Sequence, residues 1–120
     1  MKKYTHICFW FIGNGSLYNR LVNYFKNEAR VTFYGKVHHN IIPQLLSETN
    51  ILVQPSYWEG SPTSVIEALS MGIPVIAADV GDIPRLLKYG KAGMLFKSGN
   101  KKDLIEKLEF GINCYDDLIK

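Results

Sequence analysis

The chain has 120 residues, of which 47% are hydrophobic and 21% are charged. This length and composition suit one domain with a buried core and exclude a disordered chain, which lacks apolar residues to bury. The 14 basic and 11 acidic residues leave a net charge of +3, with no basic run longer than two residues. A nucleic-acid partner, which needs a concentrated basic stripe, is therefore not expected.

The apolar pattern indicates where the chain resides. Its longest apolar run, Ile7–Ile12, is far shorter than the roughly 20 residues that a membrane-spanning helix needs. A signal peptide fits poorly, since the run ends at Gly13 without a small-residue cleavage site. Cys8 and Cys114 lie in apolar contexts and are predicted to be buried thiols in a reducing compartment. We expect a cytoplasmic location, with peripheral membrane attachment through a partner left open.

Apolar runs predict strands that alternate with helices along the chain. The first run, Thr5–Ile12, is apolar on both faces, which is typical of a buried parallel strand. Ser16 is predicted to cap the helix that follows it. Further strands are predicted at Val31–Tyr34, Ile51–Val53, Pro74–Ala78 and Met94–Phe96. Helices are predicted after Ser16 (with Leu17, Leu21, Tyr24 and Phe25 on one stripe), at Ile41–Leu46, at Pro62–Met71 ended by Gly72, at Ile83–Leu87 and at Lys101–Ile119.

This alternation predicts the fold class. Five strand signals joined to helix signals by short glycine-containing turns favour an α/β protein: a Rossmann-like, doubly wound parallel sheet of about five strands in three layers. Residues 1–120 are predicted to form a single domain. Because ligands of open parallel sheets bind at the carboxyl ends of the strands, the loops that follow strands are the candidate sites.

The loop after the first strand, 13–16, has two open interpretations. Gly13 and Gly15 follow a strand and precede a helix, as in a phosphate-binding loop. However, Tyr18 stands where a dinucleotide fingerprint has its third glycine, and no acidic residue ends the second strand to hold a ribose. A nicotinamide-binding domain is therefore disfavoured, and a simple tight turn remains an alternative.

The loop after the third strand is the most informative part of the chain. Ser61 is a good N-cap and Pro62 suits the first helical position, where a missing N–H costs nothing. The unpaired N–H groups of Thr63 and Ser64 would then point out of the helix start. Together with the helix dipole, they predict an anion site for a group such as a diphosphate.

Two carboxylates, Glu59 and Glu67, flank this predicted anion site. Because like charges repel, they are better suited to hydroxyl groups beside the anion than to the anion itself: Glu67 to a ribose and Glu59 to a sugar. A solvated pair of glutamates around a capped helix is the alternative. Asp79 and Asp82 follow the fourth strand and are either functional, exposed loop acids or a helix cap.

The stretch 55–76 closely resembles family 4 glycosyltransferases, also called group 1, which have the two-domain GT-B fold. The resemblance covers about residues 10–119, with supporting segments at 11–15, 31–35 and 90–96. The residues that carry it are Pro55, Ser56, Glu59, Gly60, Pro62, Glu67, Ala68, Gly72, Pro74, Val75 and Ile76.

The resemblance implies that this chain is part of the carboxyl-terminal, donor-binding domain of an enzyme that transfers a sugar from a nucleotide-sugar with retention of configuration. It implies that Glu59 is the catalytic residue, that Glu67 holds the ribose and that the 35–37 turn lies against the base. It implies a UDP- or GDP-sugar as substrate, with no cofactor and no metal. The implied donor-binding residues are Gly13, Gly15, Gly35, Lys36, Val37, Gly60, Ser61, Thr63, Ser64 and Glu67.

Departures from the family pattern predict that the chain is inactive alone. The Arg and Lys that bind the diphosphate in the family precede the segment matched here, as does the acceptor-binding domain, so a missing domain or a separate chain is the expected partner. Asp82 replaces a glycine, and Arg85 stands at a glutamate position. We expect the donor-binding part of an enzyme of polysaccharide or glycolipid synthesis. The alternative is a non-catalytic nucleotide-binding or protein-docking module.

Overall fold

The computed structural model describes residues 6–13, 15–56 and 63–115. Strands and helices alternate, and every strand pairing is parallel, which confirms the predicted α/β class. The elements are β1 (Phe9–Ile12), α1 (Tyr18–Tyr24), β2 (Val31–Gly35), α2 (Ile42–Ser47), β3 (Leu52–Gln54), α3 (Thr63–Ser70), β4 (Val75–Ala78), α4 (Ile83–Leu86), a 3₁₀ turn (Lys88–Gly90), β5 (Met94–Phe96) and α5 (Lys101–Asn113).

The chain divides into two compact units, Met1–Ile41 and Ile42–Lys120. The five predicted strands are all present. They form a two-stranded ladder, β1-β2, in the first unit and a three-stranded ladder in the order β3-β4-β5 in the second. That residues 1–120 act as a single domain stays a prediction.

In the first unit, aromatic side chains join α1 to one face of the ladder. Phe9 lies opposite Val31 and Phe11 opposite Phe33, with a register shift after Phe11. The Phe11 and Phe33 rings stack with their centroids 5.0 Å apart, and Phe25 lies 6.3 Å from Phe11. Apolar contact between aromatic rings therefore holds this unit together.

The predicted burial of the first strand is wrong. Trp10, Phe11 and Ile12 are 36%, 39% and 44% exposed. A run that is apolar on both faces predicts a strand covered on both sides, but this unit provides β1 with one neighbouring strand and one helix. The same correction applies to Cys8, which is exposed, whereas Cys114 is half-buried, and neither is in a disulfide.

The predicted cap of α1 is also wrong. The helix begins at Tyr18 with Leu17 as its cap residue, and no side chain accepts a hydrogen bond there. Ser16 lies in a turn one residue too early to cap the helix. The turn is closed instead by the backbone, since the N–H of Tyr18 donates to the carbonyl of Gly15 at 3.1 Å.

The second unit has the three layers expected of a doubly wound sheet. All four residues of its central strand β4 are buried. Val75 and Ala77 pack in a cluster with buried residues of α2, α3 and α4. Ile76 and Ala78 pack in a second cluster with Phe96, against Leu104 and Leu108 of α5. Alternation along β4 thus places a core on each face of the sheet.

Helix ends in this unit follow the sequence closely. Gly72 follows α3 with a φ of +73°, a left-handed conformation that glycine adopts without steric cost, and this confirms the predicted stop. Asn100 caps α5 by accepting a hydrogen bond from the N–H of Asp103 at 2.9 Å. The predicted continuation of α5 to Ile119 extends past the described residues. Within the described ranges, no helix has the length and apolar character needed to cross a membrane.

Candidate functional site

Helix α3 is anchored in the core of the second unit. Val65 and Ala68 are fully buried and pack in the cluster that contains Val75 and Ala77 of β4. The first N–H groups of a helix have no partner within it, and its dipole adds partial positive charge at that end. The start of α3 at Thr63 therefore has the chemistry of an anion site.

Two predicted ligands, Thr63 and Ser64, lie at the start of α3. Thr63 is exposed and Ser64 is half-buried. Glu67 comes one helical turn after Thr63, so the two side chains lie on the same face. The structure thus places Thr63 and Glu67 on one face of α3, and their role in binding a donor stays a prediction.

Glu67 has an unusual environment. Glu67 is half-buried, and its Oε2 atom is buried and has no hydrogen-bond partner among the described residues. A buried acceptor without a donor costs about 1–3 kcal/mol. Such atoms are rare in native proteins, and each needs a physical explanation. A ligand hydroxyl that donates to Oε2 would provide one.

Three of the predicted site residues, Glu59, Gly60 and Ser61, lie outside the described residues, as does Pro62. The catalytic assignment of Glu59 and the cap assignment of Ser61 therefore stay predictions.

The loops after β3 and β5 are linked at the carboxyl ends of these strands. Gln54 donates from Nε2 to the hydroxyl of Ser56 at 3.0 Å, and the hydroxyl of Ser98 donates to the Ser56 carbonyl at 3.4 Å. Next to this link is a cavity of about 170 Å³, lined by Pro55, Phe96, Gly99, Asn100, Lys101 and Leu104.

Sequence reasoning did not include this cavity in the site, although a signal for it existed. Gly99 and Asn100 follow a strand of the sheet, and the loops after strands are where ligands bind in this class of fold. The loop after β5 is therefore a candidate ligand site for the same reason as the loops after the first, third and fourth strands.

In the first unit, the structure brings two predicted glycines together. The N–H of Gly13 donates to the carbonyl of Gly35 at 2.8 Å. Their φ angles are +130° and +67°, in the region that favours glycine. A Cβ atom added to Gly35 would lie 3.4 Å from the hydroxyl oxygen of Tyr18. Both glycines are thus required by the turn geometry, independently of any ligand.

The remaining predicted residues of this unit differ in exposure. Gly15 and Lys36 are exposed, and Val37 is half-buried. An exposed lysine after a strand is available for a nucleotide but is also common on any protein surface. These residues belong to the first unit and Glu67 belongs to the second, so the position of each residue is described within its own unit.

The two departures after β4 pair with each other. The guanidinium of Arg85 donates from Nε to Asp82 Oδ1 at 2.8 Å and from Nη2 to Oδ2 at 2.5 Å. This two-point hydrogen bond holds the pKa of Asp82 below its usual value and raises the pKa of Arg85. Asp82 is therefore engaged by Arg85 rather than capping α4, and Asp79 is an exposed loop acid.

Comparison with known families identifies the protein class. The chain matches the family described as glycosyl transferases group 1 over residues 1–113. It belongs to this family. The resemblance found from the glutamate, glycine and proline pattern is thereby confirmed.

Relatives of this group 1 glycosyltransferase chain include two proteins that are named for the sugar they transfer. The sulfoquinovosyl transferase SQD2 of Arabidopsis thaliana is 35% identical over 82% of this chain and 20% of its own length. The lipopolysaccharide 1,6-galactosyltransferase of Salmonella typhimurium is 32% identical over 81% of this chain and 29% of its own length. The chain thus spans less than a third of the length of either relative.

A solved structure supports the fold. The Anabaena protein HepE, crystallised in complex with UDP, matches 96% of this chain and 34% of its own with a TM-score of 0.79 and 22% identity. This similarity shows a shared Rossmann-like architecture.

Proposed function

We propose that this group 1 glycosyltransferase chain is the donor-binding part of a retaining enzyme and holds a nucleotide-sugar such as a UDP- or GDP-sugar. The observation that carries the proposal is the buried Oε2 atom of Glu67, which has no partner in the described part of the chain. It lies one turn into a helix whose start suits an anion. A nucleoside diphosphate offers both groups, because its diphosphate is the anion and its ribose hydroxyls are donors.

The proposed arrangement follows from charge. The diphosphate accepts hydrogen bonds from the N–H groups at the start of α3, near Ser61, Thr63 and Ser64. Glu67 accepts from the ribose, and Glu59 contacts the donor sugar and supports the transition state. Neither carboxylate faces the phosphates directly, since two negative groups in contact would repel. Gly35, Lys36 and Val37 would lie against the base, and Gly13, Gly15 and Gly60 would allow close backbone approach.

We expect the isolated chain to transfer no sugar at a useful rate. Departure of a nucleoside diphosphate builds negative charge on the β-phosphate, and removing one preorganised donor to such charge typically costs about 10²–10³ in rate. The basic pair of the family is expected in polypeptide that precedes the matched region, together with the acceptor-binding domain. A turnover comparable with that of intact family members would contradict this expectation.

The proposed biological role is polysaccharide or glycolipid synthesis in the cytoplasm. A lipopolysaccharide galactosyltransferase and a sulfoquinovosyl transferase among the relatives support it. The proposed reaction needs no metal. The N–H groups at the start of α3 would stabilise the diphosphate together with the Arg and Lys that are expected in the preceding polypeptide. The proposed partner is an acceptor-binding domain, in the same or a separate chain, with peripheral membrane contact through that partner.

The experiment is a titration of ¹⁵N-labelled chain with UDP, GDP and UDP-sugars, followed by NMR. We expect chemical shift changes at Glu67 and Gly35 that are lost in Glu67→Ala. The matched control is Glu106→Ala, which removes an exposed glutamate from α5 and should bind as the unmodified chain does. Binding of NADH without UDP or GDP, or no nucleotide binding at all, would contradict the proposal.

A further inference from the structure

The positive charge of the chain is concentrated in one segment of the second unit, residues 83–102. This segment contains 6 of the 14 basic residues and none of the 11 acidic residues. The rest of the chain therefore has 8 basic and 11 acidic residues, a net charge of −3. The six basic residues of the segment are all exposed: Arg85, Lys88, Lys91, Lys97, Lys101 and Lys102.

The lysines of this segment lie at both ends of strand β5. Lys88 and Lys91 precede the strand, and the other three follow it, at its end and in the first turn of α5. Lys91 and Lys97 are six residues apart, so an extended chain separates them by at most about 20 Å. The lysines thus belong to one part of the molecular surface although they are spread along the sequence.

Packing fixes the elements that carry these lysines. A Cβ atom added to Gly93 would lie 2.9 Å from Cδ2 of Leu87, which is fully buried, so the end of α4 packs closely on the start of β5. At the other end of the strand, the N–H of Lys97 donates to Oδ2 of Asp103 at 2.7 Å and joins β5 to α5. The positions of the charges are therefore set by the fold.

The lysine charges are not neutralised within the described part of the chain. Asp82 is engaged by Arg85, and Asp103 forms an ion pair with Lys107 at 3.0 Å. None of the ion pairs among the described residues includes a lysine of the segment 83–102. Five positive charges are therefore available to an external anionic partner.

The turn between α4 and β5 displays an aromatic side chain among these charges. Lys88 and Tyr89 have φ angles of 51° and 55°, which are uncommon for residues other than glycine. The turn is closed on α4, since the N–H of Ala92 donates to the carbonyl of Leu87 at 2.9 Å. Tyr89 is 77% exposed. Tyrosine suits a boundary between water and an apolar phase, because its ring is apolar and its hydroxyl is polar.

We propose that the five lysines of 83–102 and Tyr89, together called the basic surface, bind the face of an anionic lipid bilayer. This contact is additional to the donor role and to the membrane contact assigned above to the partner domain. Its chemistry is electrostatic attraction between lysine ammonium groups and lipid phosphates, with the Tyr89 ring at the headgroup level.

The type of basic residue favours a bilayer over a macromolecular partner. Arginine is the residue that binds a phosphate or a base edge at two points, and the one arginine of the segment is held by Asp82. Lysine is a point charge without that geometric specificity, which suits a diffuse anionic surface. Lysine is also depleted at interfaces between proteins, whereas juxtamembrane basic segments use it freely.

The test is co-sedimentation of the full chain with vesicles, without nucleotide. One set of vesicles contains equal amounts of phosphatidylglycerol and phosphatidylcholine, and the other contains phosphatidylcholine alone. We expect binding to the anionic vesicles only, and loss of that binding in about 1 M salt, where the screening length falls to about 3 Å.

A matched pair of double variants locates the contact. Each lysine at an anionic bilayer raises the partition coefficient about fivefold, so Lys91→Gln with Lys101→Gln should lower it about 25-fold. The control is Arg20→Gln with Lys26→Gln, which removes two exposed charges from the first unit and should leave the partition coefficient unchanged.

The contribution of the aromatic ring is tested in the same assay. Tyr89→Ser should weaken binding without changing its dependence on salt, because the substitution removes apolar surface and no charge. Tyr24→Ser is the control, since Tyr24 is 79% exposed in the first unit and should have no effect.

Three results would overturn the proposal: equal binding to both kinds of vesicle, no binding to either, and an equal loss in the two double variants. Binding of polyglutamate or duplex DNA without binding of anionic vesicles would also overturn it and would identify an acidic protein or a nucleic acid as the partner. Because no nucleotide is present, each outcome is independent of the proposed donor site.

Discussion

Replacement of Glu67 by methionine should move stability and nucleotide binding in opposite directions. Methionine has nearly the shape of glutamate but no acceptor, so Glu67→Met removes the buried Oε2 atom that lacks a donor. That removal relieves a penalty of about 1–3 kcal/mol at most, and less where water reaches the half-buried side chain. We therefore expect the free energy of unfolding in urea to stay unchanged or to rise.

The same substitution should weaken nucleotide binding. A hydrogen bond to a charged group contributes about 1.5–3 kcal/mol, which corresponds to about a 10- to 150-fold rise in Kd. Calorimetric titration with UDP and with GDP measures this change. Glu106→Met is the control and should leave Kd unchanged, because Glu106 is exposed on α5.

The opposite pattern would refute the reasoning. If Glu67→Met lowered the free energy of unfolding by more than about 1 kcal/mol while Kd stayed the same, Glu67 would be a structural residue with an unrecognised partner.

Three further predictions test the fold and its electrostatics. Gly35→Ala should destabilise the chain by about 1–2 kcal/mol, because its φ of +67° strains any Cβ-bearing residue, whereas Gly15→Ala, with no described atom within 4 Å of the added Cβ, should have little effect in urea unfolding. Ile76→Ala should cost about 2–5 kcal/mol by opening a cavity in the fully buried core, whereas Ile105→Ala, at a site 44% exposed, should cost far less in the same assay. Arg85→Ala should raise the pKa of Asp82 toward its ordinary value, as measured by NMR titration of the carboxyl group. In the unmodified chain, the lowered pKa of Asp82 stabilises the fold above the ordinary pKa, and this contribution is lost as the pH falls through the lowered pKa. The variant should therefore lose part of the pH dependence of its unfolding free energy in acid. An unchanged Asp82 pKa would contradict the pairing.

Much of the second unit follows from local pattern. The predicted limits of β4 and β5 agree with the structure to within one residue. Pro74 and Gly93 each precede a short apolar run, and both runs are too short to form a helix. The end of α3 followed from Gly72 in the same way. In such segments, local preference and tertiary packing favour the same structure.

The exposure of β1 did not follow from local pattern. Its apolar run correctly indicated a parallel strand. The burial of a strand, however, depends on which other strands and helices cover it, and the adjacent residues in the sequence do not specify those elements. The same reason explains the wrong prediction for Cys8, which was judged from the apolar residues around it.

The candidate site was predictable in part. The placement of Thr63 and Glu67 on one face of a helix follows from their spacing of four residues. The unpartnered Oε2 atom does not, because it depends on every side chain around it. The pair formed by Asp82 and Arg85 is predictable from its spacing of three residues, which brings two side chains to one face of a helix.

The most direct test of the donor site is a set of intermolecular nuclear Overhauser effects between UDP and the chain. We predict cross-peaks from the ribose protons to the Glu67 side chain, with phosphate-dependent shifts of the Thr63 and Ser64 amides. Bound UDP whose ribose shows cross-peaks only to residues remote from α3 would contradict the assignment of Glu67 and of the helix start as the donor site.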